Sequence, residues 1–214
     1  MKKFYIHKNI PVVFAEPLQN QEVSIENVIK TVNKKIPKHF FHSIDGVYVG
    51  HLPEFDKRKI NALYSDGAIY TTSYQDSDMD MIDDIVHELA HATEKQYGQE
   101  IYGDGVLEEE FVKKRVELFN RLKTDKHPVK LQDFLQTNFN VEFDFFLLKE
   151  IGYPTLKKYI GGLFNSCYSA TCLSEYYAVN FTDYFLYDRD SVERNCPVVY
   201  LKIINITEGE SNEN

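Results

Sequence analysis

The spacing of apolar residues predicts an amphipathic helix near the start of the chain. Five aliphatic positions fall on one helical face, at Ile25, Val28, Ile29, Val32 and Ile36. Ser24 precedes them, and its hydroxyl can accept a hydrogen bond from a backbone N–H of the first turn. Pro37 follows the last apolar position, where helices commonly end. The pattern therefore predicts a helix over 24–36.

Short runs rich in valine, isoleucine and tyrosine predict strands in the next part of the chain. Residues 46–50 contain one such run, with a glycine at each end. Residues 62–64 and 68–72 contain two more, and the turn sequence Ser-Asp-Gly at 65–67 joins them. We expect these two runs to form a β-hairpin.

Helical patterns dominate the rest of the sequence. After Ser77 the pattern is helical as far as Tyr97, with Asp78 and Asp80 near the positive end of the helix dipole and Gly98 as the stop. Three further helices are predicted, at 107–123, 172–187 and 197–206. Because strands come early and helices late, the sequence predicts an α+β fold, with a small sheet in an N-terminal lobe and a mainly helical C-terminal lobe.

Composition narrows the class of protein. The chain has 214 residues, of which 43% are apolar and 27% charged, and this excludes collagen-like and generally disordered proteins. The net charge of −9 argues against nucleic acid as a partner, because proteins that bind a phosphate backbone are usually basic. We expect a single domain over 1–206 and a disordered tail over 207–214, where the sequence is TEGESNEN.

The sequence contains no recognisable signal peptide or membrane span. His7, Lys8 and Asn9 interrupt the apolar run that would have to follow a basic start. No stretch of about 18 uncharged apolar residues occurs. The protein is therefore expected to be cytoplasmic, or released or associated with a particle. The odd number of cysteines, with no C-x-x-C spacing, argues against a disulfide framework.

The predicted helix after Ser77 contains the motif H-E-x-x-H, as His87-Glu88-Leu89-Ala90-His91. Two histidines four residues apart lie on one helical face, about 6 Å apart along the axis, so both can bind one zinc ion. Glu88 points about 100° away from His87, where it can take a proton from a metal-bound water without binding the metal. The motif predicts one zinc ion on His87 and His91, with Glu88 as general base.

A catalytic zinc site needs a third protein ligand, and the spacing of residues leaves its identity open. The metzincin pattern is excluded, because Glu94 and Tyr97 occupy the positions of its glycine and its third histidine. Glu94 is better placed to orient a ligand than to be one. Glu175, in the predicted helix 172–187, is the best candidate. Other acids on the preceding helix remain alternatives, at Glu108, Glu109, Glu110 and Glu117.

Three segments together resemble the zinc peptidase domain of anthrax lethal factor and the related Pro-Pro endopeptidases. They are the H-E-L-A-H motif, S-E-Y-Y-A at 174–178 and N-C-P-V-V-Y at 195–200. The resemblance covers 59–97 and 160–206. It implies a zincin-like fold and Glu175 as the third zinc ligand. It also implies that Tyr168, seven positions before Glu175, donates a hydrogen bond to the developing oxyanion.

The chain departs from this family in two places. Val179 stands where family members tend to carry a second acid, four residues after the ligand glutamate. The spacing from His91 to Glu175 is also longer than is typical of the family. We interpret 98–151 as an insertion.

These residues predict a zinc-dependent endopeptidase. Its peptide or protein substrate is expected to lie extended along an edge strand at 68–72, held by backbone hydrogen bonds. One alternative is a catalytically silent, zinc-containing structural or binding protein, such as a component of a particle or toxin complex. Another is a peptidase that cleaves one specific partner protein. A third is a cysteine nucleophile, at Cys167 or Cys172, with a histidine as its base.

Overall fold

The computed structural model describes residues 2–209, which form two compact units that meet in sequence at Gln96. The first unit, 2–96, contains all the strands of the described chain, and the second, 97–209, is helical. The predicted α+β class is therefore confirmed. Within 2–209, no helix combines the length and the apolar character that crossing a membrane requires.

A mixed five-stranded sheet forms the first unit. Its strands are β1 (Phe4–Ile6), β2 (Ile10–Phe14), β3 (Gly46–Val49), β4 (Ala62–Ser65) and β5 (Ala68–Thr71). Their order in the sheet is β1-β2-β3-β5-β4. The three inner strands are parallel, and β1 and β4 pair antiparallel to their neighbours at the two edges. The sequence pattern did not predict β1 or β2.

The β4–β5 hairpin is confirmed, and a two-residue turn forms it. Asp66 and Gly67 both have positive φ angles, 47° and 84°, as a type I′ turn requires. This turn pairs Ser65 with Ala68 and Tyr64 with Ile69.

At the hairpin side of the sheet, however, the edge strand is β4 and not β5. Because β5 lies between β3 and β4, its backbone is paired on both sides. The prediction that 68–72 is an edge strand open to a substrate is therefore wrong. The hairpin turn places β4 outside β5, so the outer edge belongs to Ala62–Ser65.

Three α-helices complete the first unit, α1 (Ile25–Lys35), α2 (Pro53–Arg58) and α3 (Asp78–Gln96), with a 3₁₀ turn at Lys38–Phe41. The predicted cap of α1 is present, since Ser24 Oγ accepts the N–H of Asn27 at 3.4 Å. Helix α3 packs against α1, β4 and β5. Its apolar face is fully buried, including Ile85 and Leu89, and this fixes the direction in which the opposite face points.

The second unit contains eight α-helices among its described residues. They are α4 (Gly98–Tyr102), α5 (Val106–Thr124), α6 (Leu131–Phe134), α7 (Val141–Phe145), α8 (Tyr153–Leu156), α9 (Leu173–Leu186), α10 (Arg189–Asn195) and α11 (Pro197–Gly209). A π-helical stretch, Phe146–Gly152, follows α7, and a 3₁₀ turn, Tyr168–Ala170, precedes α9. The predicted helices at 107–123, 172–187 and 197–206 correspond to α5, α9 and α11.

The core of the second unit lies around α9, which packs against α5, α10 and α11. Tyr176, Tyr177 and Phe181 of α9 are fully buried. The hydroxyl of Tyr176 donates to Glu110 on α5 at 2.7 Å. Segment 98–151 contributes α4 to α7 to this unit, and its status as an insertion stays a prediction. Helix α11 continues to Gly209, into the predicted disordered tail, and 210–214 lie outside the described residues.

Candidate metal site

Helix α3 places both motif histidines on the face opposite its buried one. The imidazole rings of His87 and His91 lie 5.1 Å apart between centroids, at an angle of 80°. Neither histidine side chain is fully buried, whereas Leu89 and Ala90, which lie between them in sequence, are. The four-residue spacing therefore places both imidazole rings on one face of α3, as predicted from the sequence.

Glu94 orients the ring of His91. Nδ1 of His91 lies 2.8 Å from Oε2 of Glu94, one helical turn further on. Against an ionised carboxylate, Nδ1 is the nitrogen that carries the hydrogen, so Nε2 keeps its lone pair. A histidine held in this way presents Nε2 to a metal ion in one tautomer and one orientation.

Glu88 is held by the edge strand. Its Oε2 accepts the backbone N–H of Tyr64, on β4, at 2.7 Å. Tyr64 N–H is available for this bond because, in the antiparallel pairing of β4 with β5, alternate residues direct their N–H groups away from the partner strand. The bond limits the rotamers that the Glu88 side chain can adopt.

Glu175 lies in the first turn of α9. The side chain of Cys172 caps this helix, with its Sγ accepting the N–H of Glu175 at 3.5 Å. Tyr168 donates a hydrogen bond from its hydroxyl to the Glu175 carboxylate. Burial, and then the negative charge of Glu175, raise the pKa of Tyr168 well above its usual value. The phenol therefore stays protonated and able to donate at neutral pH.

One atom each of His87, His91 and Glu175 lie within 4.8 Å of one another. Within 2–209, no other set of three or more histidine, cysteine or acidic side chains is so close. Atoms that share a tetrahedral ion at about 2.1 Å lie about 3.4 Å apart. Two imidazole nitrogens and one carboxylate oxygen can hold a metal ion.

The alternative acids of α5 have other contacts. Glu110 accepts the hydroxyl of Tyr176 at 2.7 Å and the backbone N–H of Val198 at 3.1 Å. Glu117 accepts Nε of Arg121 at 3.0 Å, a pair one turn apart on the same helix. Glu108 and Glu109 are exposed. The structure therefore groups Glu175 with the two histidines, and none of these four acids.

Two residues near Glu175 were not predicted from the sequence. Asp144, on α7, is half-buried, and its pKa is raised by burial and then by the charge of Glu175. Tyr153, at the start of α8, also has a raised pKa, caused mainly by burial, with smaller effects from Asp144, Cys167 and Glu175. Position 179 holds no acid, but Asp144 supplies a second carboxylate near Glu175. No spacing pattern in the sequence marks it.

Asp84 lies one turn before the motif but is not part of the metal group. Its Oδ2 accepts hydrogen bonds from Thr71 Oγ1 at 3.2 Å and from Gln75 Nε2 at 2.9 Å. Burial is the main cause that raises the pKa of Asp84 to about 6, and the nearby charges of Asp80 and Asp83 act in the same direction. This carboxylate is part of the packing of α3 against β5.

The three cysteines, Cys167, Cys172 and Cys196, are all buried, and no disulfide joins these three described residues. The absence of a disulfide among them agrees with the prediction from their number and spacing. Burial makes the thiols of Cys167 and Cys172 poorly accessible to a substrate, which disfavours a cysteine nucleophile.

Comparisons with protein-family models, with curated protein sequences and with solved structures find no match. The resemblance to lethal factor and the Pro-Pro endopeptidases, and the zincin-like fold that it implies, therefore stay predictions. The roles of Glu88 as general base and of Tyr168 as a donor to the oxyanion also stay predictions.

Proposed function

We propose that this protein is a zinc-dependent endopeptidase. The observation that carries the proposal is the grouping of His87, His91 and Glu175 within 4.8 Å, with Glu88 adjacent to His87 in the H-E-x-x-H motif. Two histidines and a glutamate are the protein ligands of known catalytic zinc sites, which leave a fourth position for water. The orientation of His91 by Glu94 supports a ligand role for that ring.

Zinc bound by these three residues would lower the pKa of a coordinated water to about 7 and polarise the carbonyl group of the substrate. Glu88 would accept the proton of that water and deliver it to the leaving amine. The bond from Tyr64 N–H holds Glu88 in one orientation, so less conformational freedom is lost when the carboxylate acts as a base.

Tyr168 would act as a donor to the oxyanion. Its raised pKa keeps the hydroxyl hydrogen in place at neutral pH. Because that hydrogen is bonded to Glu175, the hydroxyl has to leave Glu175 when a substrate oxygen replaces it as acceptor. Charge that develops on an oxygen makes it a stronger acceptor, so the donation stabilises the transition state more than the bound substrate.

The substrate would pair with β4. Ala62 and Tyr64 direct their backbone groups away from β5. The N–H of Tyr64 donates to Glu88, so an extended peptide would pair with the backbone groups of Ala62 and with the carbonyl oxygen of Tyr64. Backbone pairing of this kind is largely independent of the substrate sequence. Specificity then depends on pockets for side chains.

The test compares three forms of the 214-residue chain. We expect the wild type to bind one zinc ion per chain by mass spectrometry of metals and to cleave members of a peptide library in a reaction that a chelator blocks. Glu88→Gln should keep the zinc and lose cleavage, because glutamine cannot accept the proton. Glu193→Gln, an exposed acid on α10, is the matched control and should retain both. Cleavage by Glu88→Gln at the wild-type rate would exclude this mechanism.

One observation favours the second candidate, a catalytically silent protein with a structural metal. The side chains proposed for catalysis are both engaged, Glu88 by Tyr64 and Tyr168 by Glu175. A protein that binds zinc stoichiometrically but cleaves neither library peptides nor any protein in a lysate would support this candidate. Cleavage of a single lysate protein, blocked by a chelator, would instead support a peptidase with one specific partner.

A further inference from the structure

One fully buried charged side chain of the second unit, Arg115 on α5, has no part in the proposed mechanism. Its guanidinium lies among three aromatic rings. The distances from Cζ to the ring centroids are 5.3 Å for Phe111, 5.8 Å for Phe134 and 4.2 Å for Phe143. Burial lowers the pKa of Arg115 to about 10, so the side chain stays charged at neutral pH. A charge in such surroundings is costly to bury, and its hydrogen bonds have to compensate.

The hydrogen bonds of Arg115 join two separate turns of the backbone. Nη1 donates to the carbonyl oxygens of Gln136 at 2.7 Å and of Thr171 at 3.2 Å, and Nη2 donates to that of Asp133. Asp133 lies in α6 and Gln136 just after it, whereas Thr171 ends the 3₁₀ turn that precedes α9. The last carbonyl groups of a helical turn lack partners within it, and a cation is a favourable donor to them. The side chain therefore holds the backbone before α9 to α5 and to the end of α6.

Thr171 lies between the two residues of this region that the proposed mechanism uses. Tyr168 is three positions before it, and Glu175 is four positions after it. The backbone N–H and Oγ1 of Thr171 both donate to the carbonyl oxygen of Tyr168, at 3.0 and 2.7 Å. The next residue, Cys172, caps α9 and accepts the N–H of Glu175 on its Sγ at 3.5 Å. The point that Arg115 holds is thus bonded to the backbone on both sides.

A second bond fixes the start of α9 to the same loop. The carbonyl oxygen of Thr137 accepts the backbone N–H of Leu173 at 2.9 Å. Thr137 directly follows Gln136, to which Arg115 also donates. Loop 133–137 therefore supports the first turn of α9, and Arg115 holds this loop and the turn before α9 together.

We propose that Arg115 is a positioning residue that fixes segment 168–175, so that the Tyr168 hydroxyl and the Glu175 carboxylate reach the metal site together. The inference rests on the proposed function and deepens it, because it names a residue on which both side chains depend. The planar guanidinium suits this role, because it presents N–H donors from two terminal nitrogen atoms in a fixed geometry.

Zinc binding tests the inference without relying on catalysis. Arg115→Met removes every donor of the side chain and keeps a similar length. We expect this variant to bind zinc about 10-fold more weakly than the wild type, because residues that orient metal ligands typically contribute 10- to 100-fold to metal affinity. Competition with a chromogenic chelator measures the affinity, and circular dichroism confirms that the variant is folded.

The matched control is Arg121→Met, on the same helix. Nη1 of Arg121 also donates to two backbone carbonyl oxygens, those of Tyr159 at 2.8 Å and of Gly161 at 2.9 Å, which lie outside segment 168–175. This variant should bind zinc as the wild type does. Equal zinc affinities of the two methionine variants would overturn the inference.

Arg115→Lys covers the case in which Arg115→Met does not fold. It keeps the buried charge, but its side chain ends one bond short of the positions of Nη1 and Nη2. We expect it to bind zinc more weakly than Arg121→Lys. Equal affinities of these two lysine variants would likewise overturn the inference.

Kinetics provide a readout that a merely structural role would not change. With saturating zinc, we expect Arg115→Met to lower kcat about 10-fold with little change in KM. When Tyr168→Phe is already present, the same substitution should lower kcat only about 2-fold, because the position of a hydroxyl that has been removed no longer matters. The same fold-loss with and without Tyr168→Phe would show that Arg115 acts on the fold as a whole, and the inference would fail.

Zinc affinity and cleavage together separate this inference from the proposed function. If Arg115→Met binds zinc more weakly than Arg121→Met but the wild type cleaves no peptide, the endopeptidase proposal fails and the positioning role at Glu175 stands. If the wild type cleaves peptides and the two methionine variants bind zinc equally well, the positioning role fails and the endopeptidase stands.

Discussion

The backbone N–H of Tyr64 donates a 2.7 Å hydrogen bond to the carboxylate of Glu88. This bond joins the edge strand, where we propose that substrate pairs, to the residue that we propose as general base. Both residues belong to the first unit, and the bond uses a backbone group that β4 does not need for pairing with β5. It makes the position of the carboxylate depend on the main chain of the edge strand.

Removing this N–H should slow catalysis without unfolding the sheet. Proline at position 64 lacks the donor, and an edge strand tolerates proline where the N–H points away from its neighbour. We expect Tyr64→Pro to retain zinc and to lower kcat by about 10- to 100-fold, because a hydrogen bond to a charged group contributes about 1.5 to 3 kcal/mol. Steady-state kinetics and metal analysis provide the measurement. Tyr64→Phe, which keeps the N–H, is the control, and an unchanged kcat in Tyr64→Pro would contradict the prediction.

Glu94 should contribute to metal affinity through His91. Without the carboxylate, the His91 ring loses the bond that sets its tautomer and orientation. We expect Glu94→Ala to weaken zinc binding by about 10- to 100-fold. Competition with a chromogenic chelator measures the change. Glu109→Ala, an exposed acid on α5, should bind zinc as the wild type does, and equal affinities of the two variants would show that Glu94 has no such role.

Tyr168 should affect turnover more than metal binding. We expect Tyr168→Phe to lower kcat by about 10²- to 10³-fold, with little change in zinc content, because one oxyanion donor is lost. The exposed Tyr187, replaced in the same way, serves as control. A full loss of activity in Tyr153→Phe together with an active Tyr168→Phe would assign the donor role to Tyr153 instead.

Asp84 should make stability depend on pH. Its pKa of about 6 in the folded protein is above the ordinary value of 3.8, so between these values the folded state holds a proton that the unfolded chain has released. The stabilisation from this proton is complete below pH 3.8 and is lost as the pH rises through about 6. The full change is on the order of 3 kcal/mol.

Asparagine at position 84 keeps an acceptor for Thr71 and Gln75 but cannot ionise. Relative to the wild type, we therefore expect Asp84→Asn to gain stability steadily between pH 4 and pH 7. Urea unfolding of both proteins across this range measures the difference. A difference that stays constant with pH would show that the Asp84 carboxyl is not perturbed.

Several features could be predicted from short stretches of sequence. The buried face of α1 and its cap at Ser24 follow from the spacing of side chains within one helix. The β4–β5 hairpin follows from Asp66 and Gly67, which readily adopt the positive φ angles of its turn. That His87 and His91 share one face follows from the helical period. All of these depend on interactions among residues a few positions apart.

Other features required the folded chain. Which strand forms the edge of the sheet depends on pairing between distant segments, and the short β1 and β2 left no clear pattern. The sequence left Glu110 as an alternative to Glu175 for the third ligand, and its bonds to Tyr176 and Val198 are visible only in the folded chain. Asp144 comes near Glu175 through Arg115 and the loop before α7, contacts that no local periodicity encodes. Such proximity results from the packing of the whole unit, in which each helix is positioned by apolar burial and by backbone groups that must find partners.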